Sequence, residues 1–304
     1  MESKRPIIGF IGLGAMGGQM ARNLINTGYP LIGFDINSER LAACVSAGAT
    51  AGTDIDDVIQ RGEIVLTSLR SSKIFVEVAE NHFLPHARSG QTFIDLGTTT
   101  APETRRLANA LATKGAMLVD APVSGGPQGA KQGMLYIFVG GDESAVARCR
   151  PILETLGNPE QVVHCGPSGA GQVVKGVNQL AMGLGAAAYL EAMAFGVRSG
   201  VSPEAIRAVM GGDGNWRQQF GAIAQQVIDG KAESMVVKFP ELPYFLDEAK
   251  EQGFELPLTQ SLYKFCKANG KAMFDNMNRP SRSFWHALMT AEIPSEDSSE
   301  EREL

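Results

Sequence analysis

Cysteine, histidine and tryptophan are sparse in this chain of 304 residues, with four, four and two copies. Cys44, Cys149, Cys165 and Cys266 form no CxxC pair, and His82, His86, His164 and His286 form no HExxH. Neither a disulfide framework nor a metal site is expected, and reduced, mostly buried thiols fit a cytoplasmic protein. Excess positive charge is lacking too. At a net charge of −6, nothing draws the chain to nucleic acid or to an anionic membrane. The longest apolar stretch, residues 180–190, is shorter than the ~20 residues of a bilayer span. The start is charged as far as Arg5, and the apolar run Pro6-Ile-Ile-Gly-Phe-Ile then leads into a glycine loop. It reads as a first strand and not as a secretory signal. These absences together predict a soluble protein.

Glycine, by contrast, is plentiful at 35 residues, much of it in short clusters that mark tight turns or close backbone approaches. The length allows two domains, each with its own core. Up to residue 165 strand-like and helix-like runs alternate. Strands are predicted over 7–12, 31–35, 64–68, 92–96, 117–123, 136–139 and 162–165. Helices are predicted from Met16, from Leu41, around 75–80, and over 102–114 and 143–156. Such alternation implies a mostly parallel sheet covered on both faces, a doubly wound α/β Rossmann-type domain over residues 1–165.

From Gln172 to Arg198 the pattern turns helical and rich in Gly and Ala. Each glycine costs a free helix ~1 kcal/mol, so this many small residues implies close packing of other helices against it. No alternation returns, and 203–210, 220–228, 244–252 and 258–268 read as helices. An all-helical domain over 166–293, joined to the first by one long central helix, is expected. Residues 294–304, polar and mainly acidic, are expected to stay disordered.

Three constellations carry chemistry. Gly12-Leu13-Gly14-Ala15-Met16-Gly17 lies between a predicted strand and a predicted helix, the context that makes GxGxxG a dinucleotide fingerprint. Gly12 permits the turn, Gly14 lets a pyrophosphate approach the backbone and Gly17 lets helix pack on strand. Asp35 ends the second strand, eighteen positions after Gly17, where a carboxylate accepts ribose hydroxyls and repels a 2′-phosphate. Ile36, Asn37 and Ser38 follow it with no Arg. NAD is favoured over NADP. Next, Asp120-Ala-Pro-Val-Ser124-Gly125-Gly126-Pro127 follows a strand end. A serine hydroxyl and unobstructed glycine N–H groups there suit a substrate carboxylate, although the same run also reads as a plain loop. Last, Lys175 and Asn178 share a face of the long helix behind Gly169-Ala-Gly171. Val173, Val174, Gly176 and Val177 surround Lys175 with apolar chain. Burial disfavours the charged amine and brings it toward the range useful for general acid–base work.

Residues 10–23 (FIGLGAMGGQMARN), 120–126 (DAPVSGG), 139–142 (VGGD) and 169–178 (GAGQVVKGVN) together resemble the signatures of the β-hydroxyacid dehydrogenases, the family of 3-hydroxyisobutyrate dehydrogenase. The resemblance runs along nearly the whole chain in the family's order. It implies hydride exchange between a nicotinamide and a carbinol carbon β to a carboxylate, the substrate being a small hydroxy acid or semialdehyde. It also implies a homodimer or homotetramer built through the helical domain. By the family pattern Lys175 is the catalytic lysine, and Ser124, Gly125 and Asn178 hold substrate. Leu69 and Thr98 lie beside the cofactor. The chain departs from that pattern at Leu69-Arg70 (Leu-Pro in relatives), at Gly97-Thr98 (Ser-Thr) and at Pro240-Glu241-Leu242 (Lys-Asp-Leu), with Lys238 two residues early as the candidate replacement. These departures imply a substrate other than 3-hydroxyisobutyrate. An imine reductase, which shares the fold and glycine motif, and a non-catalytic NAD(P)-binding scaffold are the rival readings. Retention of Lys175 counts against the first, and Lys175 with Asn178 against the second.

Overall fold

Four short runs build the middle of the sheet: β1 (Ile8–Ile11), β2 (Leu31–Phe34), β4 (Ile64–Thr67) and β5 (Thr92–Asp95). They are apolar almost throughout and nearly all buried, without polar alternation. That composition belongs to parallel strands covered on both faces. The computed structural model describes residues 5–229 and 241–268, so the expectations for Lys238, Pro240 and the acidic tail lie outside the described residues.

With β3 (Thr50–Ala51), β6 (Met117–Asp120), β7 (Val123–Ser124), β8 (Leu135–Gly140) and β9 (Gly157–Gly166), the strand order is β3-β2-β1-β4-β5-β6-β8-β7, and β9 pairs with β8. Pairing is parallel from β3 across to β6, and β8 runs antiparallel to β6 and β7. The direction of winding reverses between β1 and β4, the switch point where open α/β sheets bind ligands. Helices α1 (Gly17–Asn26), α2 (Ser38–Ser46), α3 (Ile55–Arg61), α4 (Ser72–Val78), α5 (Leu84–His86), α6 (Ala101–Ala112), α7 (Gly126–Gln132) and α8 (Glu143–Leu156) connect the strands. One apolar cluster contains Phe10, Met20, Leu24 and Leu66. A second contains Phe75, Phe83 and Phe93, with Phe83 stacked on Phe93 at 4.4 Å between ring centroids.

Several elements differ from the sequence expectation, each for a local reason. β3 has only two residues, both exposed, and leaves no periodic trace. α3 is short, and its start is marked by Asp54, whose side chain accepts the Asp57 N–H. The strand expected over 117–123 breaks at Ala121-Pro122, because proline has no N–H for the ladder. Residues 126–132 form a helix and not a plain loop, although Ala130 is its only buried residue. The helix around 75–80 continues through a π-turn (Ala79–Phe83) into α5. That continuation brings His82 and His86, an HxxxH spacing overlooked in the histidine pattern, to Asp56, their Nδ1 atoms 2.7 and 3.3 Å from its Oδ1. Among the described residues no cluster of His, Cys, Asp or Glu is arranged to hold a metal ion.

The chain divides into two compact units. The sheet unit runs to Val177 and includes Asp247–Phe254. That returning segment is the end of α12 (Leu242–Glu251), where Glu248 accepts both Arg105 Nη groups of α6, at 3.3 and 2.6 Å. The other unit begins at Asn178, inside α9 (Ala170–Arg198), and is helical wherever it is regular among the described residues. It contains α10 (Pro203–Met210), α11 (Asn215–Ile228) and α13 (Pro257–Ala268). Leu190, Leu242 and Leu262 form one core there, and Met193, Phe220 and Ala224 another. The expectation of close helix packing holds at Gly196, where a Cβ would lie 2.6 Å from Ile206 Cδ1. It does not hold at Gly185, where a Cβ would meet nothing within 4 Å. By length and composition alone, α9 is the one described helix that could cross a membrane. The apolar stretch read as residues 180–190 understates it.

Candidate active site

The glycine loop follows β1 at the switch point. Gly12 has φ +92°, and a Cβ there would stand 2.5 Å from the Ser68 carbonyl oxygen and 3.2 Å from Leu69 Cδ2. A Cβ at Gly17 would collide with the Gly12 carbonyl oxygen. Only glycine fits at either place. Gly14 is different: apart from its chain neighbours, a Cβ there would meet only Arg40 Nη1, at 3.9 Å. The loop is thus closed toward the sheet and open on the side from which a pyrophosphate approaches, and the residues fit the dinucleotide their spacing predicts. Leu13 is buried in the core and Met16 packs against it. Their side chains are structural, and what they and Ala15 can offer a phosphate is backbone.

Asp35 does more than wait for a ribose. Its Oδ2 accepts the Leu13 N–H at 2.7 Å and its Oδ1 the Asn37 N–H at 2.8 Å, so the buried carboxylate also holds the glycine loop in shape. The sequence reading also overlooked a neighbour: Arg40 Nη1 lies 4.0 Å from Asp35 Oδ1. With the arginine 45% exposed and the contact long, the pair is weak.

Along the C-terminal ends of the strands stands a row of polar groups, with Thr67 in register with Asp95 and Asp95 with Asp120. Asp95 is buried and accepts Thr99 Oγ1 at 2.7 Å, Thr67 Oγ1 at 3.1 Å and the Gly97 N–H at 3.0 Å. Burial pushes its carboxyl up, against the pull of those three bonds. Asp120, also buried, accepts the Gly169 N–H at 2.8 Å and the Gln172 N–H at 3.1 Å at the start of α9. Burial pushes its carboxyl up to about 6, with a smaller push from Asp95, against the two N–H bonds. Gln172 reaches the other way: its Oε1 accepts the Thr99 N–H at 3.0 Å and its Nε2 donates to the Gly97 carbonyl at 3.1 Å. One turn on, Lys175 is buried at 4% exposure and donates from Nζ to the Val123 carbonyl at 2.7 Å.

The structure therefore brings Lys175 to the segment that carries Ser124, Gly125 and Gly126. Gly125 has φ +131° and Gly126 φ +63°, and both are exposed at the start of α7. A Cβ at Gly126 would meet nothing within 4 Å, while one at Gly125 would press on Leu135 Cδ2 at 3.1 Å. Leu69 lies against Gly12, and its carbonyl oxygen would be 3.5 Å from a Cβ at Gly97, next to half-buried Thr98. Asn178 belongs to the second unit, three residues along α9 from Lys175, with its Nδ2 3.7 Å from Met182 Sδ. No role was read for Asp95, Thr99 or Gln172 in the sequence, and Asp120 was read only as part of a loop motif. Asp120 heads that motif, and Gln172 lies between the glycines and Lys175, which was the available signal.

Residues 7–166 match the family described as the NAD binding domain of 6-phosphogluconate dehydrogenase. Residues 169–279 match the one described as NAD-binding of NADP-dependent 3-hydroxyisobutyrate dehydrogenase. The 2-(hydroxymethyl)glutarate dehydrogenase of Eubacterium barkeri is 34% identical over 273 residues, 88% of this chain and 89% of the relative. The chain belongs to the β-hydroxyacid dehydrogenase family. Within that family, the 3-hydroxyisobutyrate dehydrogenase of Pseudomonas aeruginosa is 38% identical over 215 residues, 69% of this chain and 71% of the relative. The solved structure of Mycobacterium tuberculosis 3-hydroxyisobutyrate dehydrogenase with L-serine superposes with a TM-score of 0.79 at 25% identity, covering 95% of this chain and all of that one. The sheet unit is thus the NAD-binding domain of a β-hydroxyacid dehydrogenase, and the polar row stands at the C-terminal strand ends, where such folds bind ligands.

The Asp120 carboxyl gives a pH prediction. Its folded value lies above the unfolded value of 3.8, so folding favours the neutral form. That contribution is complete below 3.8 and is lost as pH rises through about 6. Wild-type protein should lose roughly 2 kcal/mol of unfolding free energy between pH 4 and pH 7 that Asp120→Asn retains. Denaturant titrations of both across that range check it, and parallel pH profiles would contradict it.

Proposed function

We propose that the protein is an NAD(H)-dependent dehydrogenase of small β-hydroxy acids, or a reductase of the matching semialdehydes, with Lys175 as general acid and base. The observation that carries the reading is the buried Lys175 anchored to the Ser124–Gly126 segment through the Val123 carbonyl, 2.7 Å away. NAD bound at the glycine loop supplies the acceptor for the hydrogen and electron pair that leave the carbinol carbon. In oxidation the neutral Lys175 amine takes the hydroxyl proton as the C–O bond becomes a carbonyl; in reduction the protonated amine returns it. Ser124 and the N–H groups of Gly125 and Gly126 receive the carboxylate. Asn178 orients the substrate from the next turn of α9. Leu69 and Thr98 line the cofactor, and Lys238 is the candidate closing cation.

The names of the relatives narrow the class. 2-(Hydroxymethyl)glutarate, 3-hydroxyisobutyrate and L-serine each carry a primary hydroxyl on a carbon next to the one that bears a carboxylate. They differ in the other group on that carbon, and a 2-substituted 3-hydroxypropionate is the substrate we infer. Asp35 at the ribose end favours NAD over NADP. We assign residues 1–165 to the cofactor domain and the chain from 166 to the substrate-side domain, with the start of α9 and the end of α12 packed in the sheet unit. The substrate-side domain pairs copies into a homodimer or homotetramer, which exposed Met182, Phe195 and Val209 support. The protein is cytoplasmic, and nucleic acid and membrane are not among its partners.

Lys175→Ala should lower kcat by about 10²–10⁴-fold while NADH still binds, as followed by nicotinamide fluorescence. Turnover close to wild type would remove the lysine from the mechanism. Specificity is read from kcat/KM with NAD and NADP over a panel of 3-hydroxyisobutyrate, L-serine, 2-(hydroxymethyl)glutarate, glycerate, 4-hydroxybutyrate and threonate, with cyclic imines in parallel. NAD with a β-hydroxy acid other than 3-hydroxyisobutyrate should lead. Preference for NADP would contradict the role given to Asp35, and a lead for 3-hydroxyisobutyrate by about tenfold would make the altered 240–242 segment irrelevant to specificity. Imine turnover alone would make the protein an imine reductase.

A further inference from the structure

Asp120 sits where a charge is expensive. Its side chain is fully buried, and glycine backbone packs on it: a Cβ at Gly140 would lie 2.6 Å from both carboxylate oxygens, while one at Gly171 would collide first with the Phe138 carbonyl oxygen and then lie 2.8 Å from Oδ2. At Gly140 no larger residue fits without displacing the carboxylate. What the carboxylate does there is hold two N–H groups of one helix start, Gly169 and Gln172. A carboxylate has acceptors for both, whereas an amide offers one acceptor and turns N–H toward the other donor.

The same helix start and the same strand end meet again a few residues on. Lys175, three residues after Gln172, bonds the carbonyl of Val123, three residues after Asp120. Strand end and helix are therefore clamped at two points, with Ser124–Gly126 leaving from the second. Gln172 adds a third clamp through Gly97 and Thr99. A lysine side chain is long and mobile, so the position of its amine depends on where its helix is held.

We propose that Asp120 is a positioning residue: by gripping the Gly169 and Gln172 N–H groups it sets the depth of α9 against β6, and so the place of Lys175 Nζ beside the Val123–Gly126 segment. The proposal rests on Lys175 being the acid–base group. It accounts for a buried carboxylate outside the reacting set, and for the glycine at 140 that makes room for it.

The test is a double-mutant cycle on the full chain with Asp120→Asn, Lys175→Ala and the pair, measuring kcat at pH 8 and NADH dissociation by fluorescence. A displacement of about 1 Å of a reacting group costs about 10²-fold, so Asp120→Asn should lower kcat to that extent with the NADH dissociation constant little changed. In the Lys175→Ala background it should lower kcat no further, within about threefold. A purely structural role would instead impose its full loss in both backgrounds, which overturns the proposal, as does a kcat for Asp120→Asn near wild type. Near-normal turnover of Lys175→Ala overturns the acid–base reading itself, and with it this one. If Asp120→Asn does not fold, amide exchange of the unmodified protein decides. Gly169 and Gln172 should exchange as slowly as the β6 amides, and exchange typical of a frayed helix end contradicts the grip.

Discussion

The site depends on how α9, the longest of the described helices, is attached to the sheet. The first N–H groups of any helix have no partner within it, and in α9 they start at the buried edge of the strands, where water is not at hand to satisfy them. The Asp120 carboxylate takes two of them, those of Gly169 and Gln172. This bond set fixes a helix whose next turn carries the proposed acid–base lysine and whose length leads into the second unit. Glycine at 140 follows from it, because a Cβ there would press on the carboxylate; at 171 the Phe138 carbonyl oxygen excludes a side chain, and at 169 the φ is positive.

The row of buried polar groups at the strand ends extends the same logic toward the cofactor. Asp95 braces the 97–99 turn from below through Gly97 and Thr99, and Gln172 grips the same turn from α9. Thr98, the proposed cofactor neighbour, is thereby held between two rigid elements. At the other end Asp35 braces the glycine loop through Leu13. A half-satisfied buried network would be worse than an apolar one. Here three carboxylates each hold at least two backbone or hydroxyl donors.

Much of this was legible in the sequence, because the fold's strongest demands leave strong marks. A glycine loop between strand and helix, an acidic residue at the second strand's end and the change from alternation to continuous helix each follow from steric or hydrophobic necessity. What escaped had weak local signals. β3 is two exposed residues long, and α7 hides in a run of Gly, Pro and Gln with one buried alanine. Pro122 splits a strand that periodicity joins. The proximity of Arg40 to Asp35 depends on the angle at which α2 leaves its loop. The grips of Asp120 and Gln172 are contacts between residues 49 to 75 positions apart, which no local pattern encodes.

The central claim is that Lys175 meets the reacting oxygen directly, in the place where α9 holds it. A crystal structure of the complex with NADH and a 2-substituted 3-hydroxypropionate measures this. Lys175 Nζ should lie roughly 2.6–3.2 Å from the substrate hydroxyl, with the carboxylate on Ser124 and the Gly125–Gly126 backbone and the Asp120–Gly169 bond intact. A substrate hydroxyl bonded to another side chain, with the Lys175 amine more than about 4 Å away and no water between, would contradict the account.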